Sequence, residues 1–174
     1  MRIILKFFIG LITLSCFIFS CTNQTKSTKI KNTQIDHDQL NSYVKDSIDQ
    51  PLKLNQNFIE NFNSWDLVSA IESTTQIKDK ETETFPFLFE MISLELDKIK
   101  FENAPEDLNI PQVIGRFRVY KTNILKINSI DLNIKNFLDY KNNLKNLISS
   151  HNALVNMLNL TANEIEEKNL IIQD

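Results

Sequence analysis

Glycine and proline are scarce in this chain, with two and four among 174 residues. Tight reversals rely on their special backbone angles, so the many turns of an all-β sandwich are excluded and helices are expected. Beyond residue 21 only Gly115, Pro51, Pro86, Pro105 and Pro111 punctuate the sequence. Cysteine is as rare: Cys16 and Cys21 both lie near the N-terminus. No disulfide framework and no cysteine-histidine zinc site can therefore brace the rest. The formal charge of −3 leaves no basic footprint for a nucleic-acid partner. The length suits one domain.

What is present begins at the N-terminus. Arg2 and Lys6 give a positive start, residues 3–19 are almost unbroken apolar sequence, and Ile18-Phe19-Ser20-Cys21 sets a cysteine after a small residue. A cationic start, an apolar core and a small residue before the cut are the three parts of a secretory signal. With Cys21 in place, the stretch resembles the signal peptide of a bacterial lipoprotein. The resemblance implies that Cys21 is diacylated on its sulfur and becomes the new N-terminus, and two or three acyl chains anchor stably where one does not. Thr22, at the position after the cysteine, is not the Asp that resembles an inner-membrane retention signal. In a Gram-negative host the expectation is therefore the outer membrane, facing the periplasm. Two alternatives stand beside this one. Residues 3–19 approach the roughly 17 residues that span a bilayer as an uncleaved helix. Cleavage after Ser15 would instead leave Phe17, Ile18 and Phe19 exposed.

This reading divides the chain into a signal peptide (1–20), a lipidated flexible tether (21–37) and a helical domain (38–174). Removal of Arg2 and Lys6 leaves 17 basic against 22 acidic residues, a formal charge of −5. Lys26, Lys29 and Lys31 could rest on anionic headgroups or simply keep the tether solvated. From Asp38, Leu40, Tyr43, Val44 and Ile48 fall at helical spacing and stop near Pro51. Leu54, Phe58, Phe62, Trp65, Val68 and Ile71 predict a second helix over about 54–77. The next begins at Phe85, with Pro86 tolerated in its first turn. It carries two apolar sets: Phe85, Leu88, Ile92 and Ile99 on one side, and Phe87, Met91, Leu94 and Phe101 on another. Such a helix is either covered on more than one side or presents a patch to a partner.

Residues 103–111 read as a loop, and Pro111 opens a helix whose buried face holds Ile110, Val113, Ile114, Phe117, Ile124 and Ile127. The only break after it is 128–131. Beyond it, Ile130, Phe137, Leu144, His151, Leu158 and Ile165 recur every seventh residue, interleaved with Ile134, Lys141, Ile148, Val155 and Ala162. This heptad pattern predicts a long, coiled-coil-like C-terminal helix in an all-α, antiparallel bundle of three to five helices.

Candidate chemistry is thin. His151 on the apolar face could ligate haem iron, with Met91 or Met157 as partner, or be a hydrogen-bonded core histidine. Met157, six residues along the same helix, points nearly the opposite way. No Glu-x-x-His pair supports a carboxylate metal site, and no serine lies in a nucleophile-elbow context. Arg116 and Arg118 could contact a phosphate or lipid headgroup, but they flank Phe117 by about 100° on either side and so could equally lie over core residues. Lys121 and Lys141 fall on apolar faces and need water or an acidic neighbour. The sequence thus points to a lipid-anchored envelope protein acting as an adaptor or accessory, with no cofactor, no catalysis and an envelope protein as partner. The alternative is a bundle that binds a small ligand or cofactor such as haem.

Overall fold

A computed structural model describes residues 35–173. The expected signal peptide, Cys21, and the tether with Lys26, Lys29 and Lys31 lie outside the described residues. Six α-helices carry the described part: α1 (His37–Ser47), α2 (Gln56–Phe62), α3 (Leu67–Thr75), α4 (Phe85–Lys98), α5 (Pro111–Asn128) and α6 (Phe137–Gln173). Among the described residues there is no strand, and no helix is long and apolar enough to cross a membrane.

The fold is the expected all-α bundle with a long C-terminal helix, which at 37 residues is about 55 Å long. Helices α4, α5 and α6 run antiparallel. Phe101 just after α4 stacks edge-on against Phe117, and Asp97 pairs with Lys121. Along α6 the order inverts again, with Asn123 bonded to Ser150 and Tyr120 stacked on His151. By contrast, the first segment runs parallel to α6: Tyr43 meets Lys141, Leu52 meets Asn152, and Asn55 meets Asn159.

The caps follow local chemistry. Asp36 accepts from the Gln39 N–H at the start of α1, and Asn55 accepts from the Phe58 N–H at the start of α2. Pro86 and Pro111 occupy first turns, where no intrahelical donor is lost. Helix α1 starts at His37, so that residue, placed by the sequence at the end of the tether, belongs to the folded body. Its Nδ1 lies 3.0 Å from Thr82 Oγ1.

The helix expected over about 54–77 is two helices, which brings the total to six. Asn63 bonds back to Ile59 O, but Trp65 and Val68 then use tighter three-residue bonds to Phe62 O and Trp65 O. The chain stays right-handed through this turn, so Phe58, Phe62, Trp65, Val68 and Ile71 remain on the core side without a glycine or proline to announce the break. Residues 111–173 also form two helices: α5 ends at Asn128, and α6 starts only at Phe137.

Helix α6 is the spine. Its expected rows through Leu144, His151 and Leu158 and through Ile148, Val155 and Ala162 are buried. A third row, Tyr140, Leu147, Leu154 and Thr161, is buried as well. A two-row seam serves one partner; three rows let α6 pack on α5 on one side and on α2 and α3 on another.

Candidate functional site

His151 is the histidine that the sequence places on an apolar face. It is fully buried, with 0% of its surface exposed. Nε2 lies 2.9 Å from Leu52 O, and since a carbonyl only accepts, this nitrogen carries the proton. Nδ1 then holds a lone pair, buried and, among the described residues, without a hydrogen-bond partner. The ring packs edge-on against Tyr120, centroids 5.8 Å apart. Burial lowers its pKa from 6.5 to about 4, only partly opposed by the bond to Leu52. Tyr120 is sealed beside it; its hydroxyl lies 2.5 Å from Thr74 Oγ1, and burial pushes the phenol well above its ordinary range.

His151 belongs to a clasp. Residues 50–55 run extended between α1 and α2 and lie along α6. Asn152 Oδ1 accepts from the Leu52 N–H at 2.8 Å, while its Nδ2 donates to Gln50 O at 3.1 Å. Seven residues on, Asn159 repeats the arrangement, accepting from the Asn55 N–H and donating to Lys53 O. Each side-chain amide thus pairs with a backbone donor and a backbone acceptor, as a neighbouring strand would. Asn163 accepts from both Asn55 and Asn57 to finish the row.

The other sequence candidates are not brought together. Arg116 and Arg118 are both exposed on either side of buried Phe117. Arg116 borders a shallow hollow of about 290 Å³ with Ala153, Met157 and Leu160, while Arg118 is not among its lining residues. Lys121 reaches an acidic neighbour as expected, with Nζ 2.8 Å from Asp97 Oδ1 and 3.1 Å from Leu96 O. Lys141 instead lies over the Tyr43 and Phe137 rings, 4.3 and 5.1 Å from their centroids. A cleft of about 370 Å³ opens between residues 50–54, α2 and α3, but its polar rim of Gln50, Lys53, Glu72, Gln76 and Asp79 is fully solvent-facing. Among the described residues no group of three or more His, Cys, Asp or Glu side chains is placed to hold a metal ion.

Helix α4 presents the clearest surface feature. Phe85, Phe89, Ile92 and Leu96 point into the core, where α4 packs on α3 and α5. On the opposite side Phe87, Met91 and Leu94 are 68%, 44% and 55% exposed. The second apolar set is therefore an open stripe, except for Phe101, which lies beyond the helix and packs against the core. Met91 on this outward face and His151 in the interior share no site. No family model, curated protein or solved structure matches the chain.

Two features escaped the sequence reading. The asparagines of α6 look like solvated positions in any hydropathy pattern, and only their seven-residue spacing hinted at a common face. Phe89, fully enclosed, fell in neither apolar set of α4, because Phe85 through Phe89 is too uniformly apolar for spacing to rank its members.

Proposed function

We propose that this protein is a lipid-anchored adaptor of the cell envelope, fixed to a membrane through Cys21 and binding another protein through its helical body. The observation that carries the adaptor half is the open stripe of Phe87, Met91 and Leu94, diametrically opposite the face by which α4 packs. Single exposed apolar side chains are ordinary on monomers, whereas an aligned group on one helix marks a contact surface. The anchor half rests on the order cationic start, apolar run, Ser20 and Cys21. Outer membrane, periplasmic side, is the proposed address, because Thr22 follows the cysteine. His151 supports this reading over a haem bundle: one ring nitrogen is committed to Leu52 and the other is enclosed.

Metabolic labelling of the full chain with radioactive palmitate, followed by membrane fractionation, tests the anchor. Label should disappear in Cys21→Ala; persistent label in that variant overturns the assignment.

A further inference from the structure

We infer that the outward face of α4 is a short coiled-coil seam for a cationic amphipathic helix of a partner protein. This rests on the adaptor reading and names the chemistry of its partner. Phe87, Met91 and Leu94 stand at the alternating spacing of four and three residues that marks the inner positions of a coiled coil, and the register extends back to Thr84 and on to Lys98. Glu83, Glu90 and Asp97 each immediately precede an inner position of that register. Seven residues apart, they form an acidic column along one edge of the stripe. Glu83 belongs to the turn Thr82–Thr84, whose backbone leads into α4 with right-handed angles at Thr84 and Phe85.

Charges at such edge positions choose the partner of a coiled coil. Asp97 is already matched by Lys121 of α5, while Glu83 and Glu90 are exposed and in no ion pair among the described residues. Self-pairing meets repulsion in either orientation. Antiparallel, Glu90 would face Glu90, and Glu83 would face Asp97. Parallel, Glu90 would face Glu95 of the second copy. An anionic bilayer would be repelled by the same carboxylates. A helix with apolar residues at the same spacing, and Lys or Arg at every seventh position along one edge, covers the stripe and neutralises the column. The 14 residues of α4 span about 21 Å, enough for two heptads of such a helix.

A photo-crosslinking residue placed at Leu94 of the full chain, in the cells that make it, tests the seam. Irradiation should give one discrete protein adduct, and sequencing of the joined peptide should show apolar spacing with Lys or Arg seven apart. Changing Glu83 and Glu90 together to Lys should lower the yield about tenfold, and charge reversal on the mapped partner segment should restore it. Both glutamates are exposed, and an unchanged circular dichroism spectrum of the purified chain checks that the variant is folded. An adduct to a second copy, to lipid, or to a segment without that pattern overturns the inference. So does an unchanged yield in the double variant, or no adduct at all. Probes at Leu138 and Leu170, exposed apolar side chains of α6, separate the two readings. Adducts there with none from Leu94 sink the α4 seam and leave an adaptor, while silence at all three positions sinks both.

Discussion

His151 makes the fold sensitive to acid. Its folded pKa of about 4 lies below the ordinary 6.5, so between these values the unfolded chain binds the extra proton and the folded chain does not. Stability therefore falls as pH drops below about 6.5 and levels off below about 4, a total loss near 3 kcal/mol. Urea unfolding of the full chain at pH 7 and pH 4.5 should show a lower midpoint at the acid value, and His151→Gln should flatten the difference contributed by this residue. Gly115 offers the opposite case. It is exposed within α5, and a Cβ built there meets nothing within 4 Å. Gly115→Ala should raise stability by about 0.5–1 kcal/mol, read as a higher melting temperature. Both positions show how far residue type alone reaches. The heptad register put His151 on a buried face, but nothing in the sequence indicated that its partner would be a backbone carbonyl 99 positions earlier. The same limit applies to Lys141: the pattern asked for water or an acidic neighbour, and the side chain lies over two aromatic faces instead.

Elements were legible where burial is one-sided and periodic. The buried stripe of α5 matches its spacing at Val113, Phe117, Ile124 and Ile127, and Tyr120 completes it with a hydroxyl that only the fold could satisfy. Periodicity failed at the α2–α3 turn because a tightened right-handed bend preserves the face of each side chain. In α4 it supplied both apolar sets and left their fates open, since an outward stripe and a second core face look alike in one dimension. The extended segment over residues 50–55 was invisible for a different reason: its bonds come from asparagine amides. Those amides are testable. Asn152→Ala and Asn159→Ala each leave one backbone donor and one acceptor without a side-chain partner and should cost about 1–2 kcal/mol. The loosened segment should also expose the bond after Lys53, so trypsin should cut there faster in either variant than in the parent chain.

At the scale of the whole molecule, stability converges on α6. Leu158 is fully enclosed in the central core. Leu158→Ala should cost about 2–5 kcal/mol, detectable as a large drop in the urea midpoint, because a cavity in the spine cannot be closed by one neighbour moving. The α4 stripe lies outside this dependence, so substitutions at Phe87 or Leu94 should leave the unfolding free energy within about 0.5 kcal/mol of the parent, read from the same urea curves. A surface that can change without unfolding the body suits a contact with another protein.

The clasp between residues 50–55 and α6 also sets an order of events. His151, Asn152 and Asn159 bond to residues 99 to 106 positions earlier in the chain. Such distant closures come late, since the loop entropy is lost before the contact forms. A chain emerging N-terminus first therefore carries open the apolar faces of α2 and α5 that meet α6 until nearly all of it has been released, and it locks only when the last helix arrives. Its vulnerable interval is its own synthesis, when a holding chaperone would find these faces uncovered.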